Sequence, residues 1–105
     1  MFTVIGTDTY NNELSKWSKA DRTIAEKIPK KLAESPLSGD SLGYKFLREK
    51  RVGEKRVYYL IYVDLKLVLL VATSGKKDQQ DTIDHIKDQL DEYRKVAEKI
   101  AKQVS

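Results

Sequence analysis

Two apolar runs, Arg56 to Val63 (RVYYLIYV) and Leu67 to Thr73 (LVLLVAT), stand on either side of the short segment Asp64-Leu65-Lys66. Both are rich in β-branched and aromatic residues, which suit a pleated, packed surface. So short a gap leaves the chain room only to double back, so the runs read as antiparallel strands. Upstream, Tyr44 to Val52 reads as another strand, and Gly53-Glu54 falls where a hairpin turn belongs, because glycine tolerates positive φ. The stretch Gly43 to Lys77 is thus a three-stranded meander with basic residues at its strand ends. Side chains alternate across a pleat. Val57, Tyr59, Ile61 and Val63 form the row expected to pack under helices, while Arg56, Tyr58, Leu60 and Tyr62 form the other. That second row would present Arg56 and two tyrosine rings on the opposite face.

The flanking segments carry helical signals. Phe2 to Ile5 reads as a short strand ended by Gly6, and Thr7 or Asp8 can cap a helix marked by Leu14 and Trp17. Ser18-Lys19-Ala20-Asp21 resembles a capping box with Asp where Glu is usual. Ala20, Ile24, Ile28 and Leu32 then recur at every fourth position as an apolar stripe, and Pro29 predicts a kink or short break within it. Ser35-Pro36 and Ser38-Gly39-Asp40 form the loop into the meander. Beyond Ser74-Gly75-Lys76-Lys77, a final helix is predicted from about Asp78 to Gln103. Its seam is Ile83, Ile86, Leu90, Tyr93, Ala97, Ile100 and Val104, with heptad spacing.

Charge has an address. The chain carries 20 Lys and Arg against 16 Asp and Glu, a net +4. Between Tyr44 and Arg56 alone there are six basic residues and two Glu, which is also +4, so the remainder is neutral. A length of 105 residues suits one domain spanning 1–105, and 40% hydrophobic residues is enough for a packed interior. The absence of cysteine excludes disulfide and thiol chemistry. No leader is read at Met1-Phe2-Thr3-Val4-Ile5, and the apolar run Leu67 to Ala72 falls far short of the roughly 20 residues that span a bilayer. A cytoplasmic protein with no membrane partner is expected.

Clustered Lys and Arg beside tyrosines suit a polyanion with stackable bases, which describes single-stranded RNA. The competing reading is a solvated hairpin whose charges blunt its sheet edges. RNA cleavage needs no histidine or metal. Attack by a 2′-hydroxyl requires a proton acceptor, a proton donor and stabilisation of negative charge on phosphorus, and Arg and Lys can supply these roles. His85, with Asp81 and Asp88 near it, reads as part of a solvated helix face, and no metal site or cofactor is expected. Thr73-Ser74-Gly75-Lys76-Lys77 lacks the preceding glycine of a phosphate-binding loop.

The order of elements, together with Gly43-Tyr44-Lys45, Gly53-Glu54-Lys55-Arg56-Val57-Tyr58-Tyr59, Leu67-Val68-Leu69-Leu70-Val71 and Ser74-Gly75-Lys76-Lys77-Asp78, resembles the RelE/ParE superfamily of toxin–antitoxin toxins. The likeness is close from Tyr44 to Asp78 and looser elsewhere. It implies an α+β fold of short N-terminal strand, helical hairpin, three-stranded antiparallel meander and long C-terminal helix. It also implies a ribosome-dependent, metal-independent mRNA endonuclease neutralised by a cognate antitoxin. On that resemblance Arg56 and Lys77 stabilise the phosphate, and Lys50 and Lys45 are candidate acid and base. Arg48, Arg51, Lys55, Lys76 and Tyr58 are candidate RNA contacts. Eight residues after the loop glycine, where RelE has a tyrosine, this chain has Ile83. That departure leaves open a ParE-like gyrase inhibitor or an inactive antitoxin-binding homologue. The far end of the last helix, Ala97 to Val104, either covers the chain's own core or meets a second copy or an antitoxin helix. Arg48, Lys50, Arg56 and Lys77 converging on one patch would favour cleavage, and their dispersal the alternatives.

Overall fold

The computed structural model describes residues 1–104. Strands β1 (Thr3–Gly6), β2 (Asp40–Ser41), β3 (Leu47–Val52), β4 (Lys55–Tyr62) and β5 (Leu67–Ser74) form one sheet in the order β1-β5-β4-β3-β2. The antiparallel meander β3-β4-β5 is as the sequence implied, and β1 adds to the far side of β5 in parallel, Thr3 opposite Leu67. Two details differ. β3 starts at Leu47 and not Tyr44, and a two-residue β2 extends the edge by pairing Asp40 with Glu49 and Ser41 with Arg48.

The hairpin turn comes from Gly53 at φ +61°, with Val52 paired to Lys55. Nothing lies within 4 Å of where a Cβ would project from it, so glycine is required for the backbone angle alone. Gly39 is required for a different reason. A Cβ there would stand 2.4 Å from the Glu49 carbonyl oxygen and 2.5 Å from the Tyr59 hydroxyl oxygen. Tyr59 uses that hydroxyl to fasten the loop, accepting from Gly39 N at 2.9 Å and donating to Pro36 O at 2.9 Å.

Helices cover both faces of the sheet. On one face α1 (Asp8–Ser15), α2 (Lys19–Ala25) and α3 (Ile28–Glu34) bring Tyr10, Ala25, Ile28 and Leu32 onto Val52, Val57, Tyr59, Ile61, Val68 and Leu70. Thr7 caps α1 by accepting from Tyr10 N, and Ser18 caps α2 by accepting from Asp21 N. Pro29 sits in the first turn of α3, so the break falls just before it. Ala25 turns inward, while Ala20 and Ile24 are exposed, contrary to the expected stripe.

On the other face α4 (Gln79–Asp88) and α5 (Leu90–Val104) replace the single helix predicted from Asp78 to Gln103, with the break at Gln89. Ile83 and Ile86 join Leu47, Tyr58, Leu60, Leu69, Val71 and Ala72 in a second core, with Leu90, Tyr93 and Ile100 packed against it. The seam thus turns inward for most of its length, and Val104 at its end is 58% exposed. Coverage of both faces explains why β4 is buried continuously from Arg56 to Ile61. The expectation that Arg56, Tyr58 and Tyr62 would stand on an open face is therefore corrected. Tyr58 is 0% exposed and Tyr62 packs against the second core. No helix among the described residues is long and apolar enough to cross a membrane.

Candidate functional site

The hairpin register decides which basic residues share a face. With Val52 opposite Lys55, Arg51 stands opposite Arg56, Lys50 opposite Val57 and Glu49 opposite Tyr58. Glu49 and Arg51 therefore lie on the same face as Arg56, and Arg48 and Lys50 lie on the other, with the α1–α3 layer. A β-bulge adjusts β5 in the same way. Tyr58 pairs with Ala72 but Tyr59 pairs with Leu70, leaving Val71 as the extra residue. After it the parity of β5 is reversed, so Ser74 comes opposite Arg56 on Arg56's face. There its hydroxyl lies 2.7 Å from the Tyr58 hydroxyl. Burial pushes the Tyr58 phenol above its usual pKa, and the Ser74 contact opposes the shift.

Arg56 and Glu49 form the floor of this end of the sheet. They are 7% and 4% exposed, and Arg56 Nε lies 3.2 Å from Glu49 Oε2. The contact is an ion pair whose geometry falls short of a hydrogen bond. A charge this buried needs a partner, and Glu49 also offsets the repulsion between the facing Arg51 and Arg56. Arg56 Nη1 donates to Glu54 O at 3.2 Å. From the first turn of α4, Gln79 Nε2 reaches across to the same carboxylate, 3.1 Å from Oε1 and 3.5 Å from Oε2. Arg51, Lys76 and Lys77 are exposed around this floor. The loop carrying the two lysines is ordered by Asp78, whose Oδ1 accepts from Gly75 N at 2.8 Å. Three exposed cations at one strand end, above a buried fourth that is paired with Glu49, suit phosphates.

The remaining sequence candidates stand elsewhere. Arg48 is a structural clamp: Nε donates to Lys45 O at 2.9 Å, and Nη1 to Gly39 O at 2.8 Å and Leu37 O at 3.3 Å. Lys55 pairs with Asp21 at 3.3 Å and lies over the Trp17 ring, tying the hairpin to α2. Lys50 is half-buried on the face away from Arg56. Lys45 lies in the turn before β3, at the opposite end of that strand from Arg51. It lines an apolar groove of about 390 Å³ with Phe2, Pro36, Leu37, Phe46, Ile61 and Val63. Arg48, Lys50, Arg56 and Lys77 therefore do not converge. Tyr58 is buried, so its ring offers no stacking surface to a base, and Ile83 is 7% exposed within the second core. His85 is exposed, and no group of three or more metal-ligating side chains comes together among the described residues.

The sequence reading missed Glu49 and Gln79. Glu49 was within reach, because a two-residue turn at Gly53-Glu54 already sets Glu49 and Arg56 on one face by parity. Gln79 depends on where α4 crosses the sheet, which no local pattern encodes.

No family model matches the chain, and no curated protein sequence matches it. Solved structures do. A chain of the intact E. coli RelBE toxin–antitoxin complex aligns with a TM-score of 0.64 at 14% identity, covering 71% of this chain and 96% of its own length. The isolated E. coli RelE toxin aligns with a TM-score of 0.64 at 13% identity, covering 82% and 99%. A chain of the RelBE2 toxin–antitoxin complex from Mycobacterium tuberculosis gives 0.62 at 22%, covering 70% and 96%. This chain has the RelE toxin fold.

Proposed function

We propose that this protein is the toxin of a toxin–antitoxin pair and that it cuts mRNA on the ribosome by metal-independent 2′-hydroxyl attack. The observation that carries the proposal is the gathering of Arg56, Arg51, Lys76 and Lys77 at one end of the sheet around a single buried carboxylate. Arg56 stabilises charge on the phosphate, Lys77 donates the proton to the leaving oxygen, and Arg51 and Lys76 hold the RNA backbone. Lys45 and Lys50 lack access to that face. Glu49, 4% exposed beside Arg56, serves as its counter-ion and does not replace them as proton acceptor. The antitoxin is proposed from the neighbours of the same fold, which are RelE toxins solved with RelB. Cytoplasmic action follows from the ribosomal target. A homodimer through the last helix is proposed on Val96 and Val104, 40% and 58% exposed.

A second reading is favoured by the dispersal of Arg48, Lys50, Arg56 and Lys77, by the burial of the Glu49–Arg56 pair, and by Ile83 where RelE has tyrosine. In it the chain is a binding protein, either a gyrase inhibitor or an inactive partner of an antitoxin. A reconstituted translation reaction separates the two. Cuts in translated mRNA by the wild type, lost in Lys77→Ala and in the charge-neutral double variant Glu49→Gln/Arg56→Gln, support the nuclease. Intact mRNA with folded wild type, together with blocked supercoiling in a parallel gyrase reaction, supports the second reading.

A further inference from the structure

We infer that the apolar groove beside Lys45 is a binding site for a small apolar anion, an aliphatic carboxylate, at the end of the sheet away from Arg56. The inference does not depend on the nuclease reading. The groove has a volume of about 390 Å³ and is lined by six apolar residues and one cation, Lys45. Small-molecule sites share that make-up, roughly 300–1,000 Å³ of mostly apolar wall with a few polar groups that orient the ligand. A stable protein–protein interface uses about 20–30 residues a side, far more than line this groove.

The walls are fixed by the protein itself. Arg48 ties two of them together, with Nε donating to Lys45 O at 2.9 Å and Nη1 to Leu37 O at 3.3 Å and Gly39 O at 2.8 Å. Tyr59 donates to Pro36 O at 2.9 Å, and Phe46 O accepts from Ile61 N at 2.8 Å. Tyr44 stacks on Phe46 with ring centroids 4.8 Å apart. Leu37, Phe46 and Val63 therefore stay exposed around the buried Ile61, and a ligand is spared the cost of ordering them. Lys45 sets the sign of that ligand. It is exposed, and its ammonium forms no ion pair among the described residues, unlike Lys55, Arg56 and Arg94. The acid on the adjoining surface, Asp64, is held by Arg94 at 3.0 and 2.6 Å and does not compete. An aliphatic chain laid against Leu37, Phe46 and Ile61 removes apolar surface from water and leaves its carboxylate for Lys45.

The test is an amide NMR titration of the full chain with octanoate, decanoate and decanol. Decanoate is expected to shift the amides of Phe46, Ile61 and Val63 saturably. It should bind about tenfold more tightly than octanoate, the effect of two further buried methylenes. Lys45→Gln should weaken decanoate about tenfold and leave decanol unchanged. Val63 is 71% exposed, so Val63→Asp alters the groove without disturbing the core, and it should abolish binding of both. No saturable shifts in the groove, or shifts of the Lys76 and Lys77 amides in their place, overturn the site. Decanoate affinity indifferent to Lys45→Gln overturns the anionic ligand. Because the groove lies away from Arg56, failure of either kind leaves the nuclease reading untouched, and intact mRNA in the translation reaction leaves the groove untouched.

Discussion

Tyr10 carries a cost that its neighbours do not. It is 2% exposed in the core beneath α1–α3, and its hydroxyl has no hydrogen-bond partner among the described residues. An unsatisfied buried hydroxyl costs on the order of 1–3 kcal/mol. Tyr10→Phe is therefore expected to stabilise the protein by about 1 kcal/mol, read as a higher midpoint in urea with unchanged slope. The same burial raises the phenol pKa to about 12 from 10.0. The folded state favours the neutral ring, so this stability is fully present below pH 10 and is lost as pH rises towards 12. Its size is about 2 kcal/mol, and alkaline unfolding of Tyr10→Phe should begin at higher pH than that of wild type. At the residue scale the sequence was a partial guide. It put Arg56 and Tyr58 on one row of β4 through simple alternation. It could not say that α4 and α5 close over that row, because burial of a face depends on distant helices.

At the scale of elements, the β3–β4 turn governs the site. Gly53 at φ +61° fixes the pairing of Val52 with Lys55, and every cross-strand neighbour of Arg56 follows from that count. Gly53→Ala adds a side chain in open space, so its cost is the left-handed backbone alone. A loss of about 1 kcal/mol in chemical denaturation is expected. The meander was legible because β-branched runs and glycine turns are local signals. The break at Gln89 and the bulge at Val71 were not legible. The heptad seam runs unbroken through Gln89, and an extra residue in a continuous apolar run leaves no trace in its periodicity. Yet the bulge is what turns Ser74 towards Arg56.

The whole molecule separates its surfaces. Arg51, Lys76 and Lys77 surround Arg56 at one end of the sheet, while an apolar groove bearing Lys45 occupies the end where β3 begins. The net +4 read from Tyr44 to Arg56 is divided by the fold between two faces, and several of its cations are spent on structure, as in Arg48 and Lys55. RNA binding should therefore reflect only the three exposed cations at the Arg56 end, with log K falling against log salt with a slope of about −2. A much steeper slope in a salt titration would mean that Lys45, Arg48 and Lys50 also contact RNA. Self-association through α5 should give a concentration-dependent mass in sedimentation that Val104→Asp abolishes, and a fixed monomer mass would contradict it.

The measurement that bears most directly on the account is end-mapping of an mRNA translated with purified protein. Cuts are expected to depend on ribosomes, to leave cyclic phosphate and 5′-hydroxyl ends, to be abolished by Lys77→Ala and to be untouched by Lys45→Ala. Intact mRNA with folded wild type, or cuts that survive Lys77→Ala and vanish with Lys45→Ala, would contradict it.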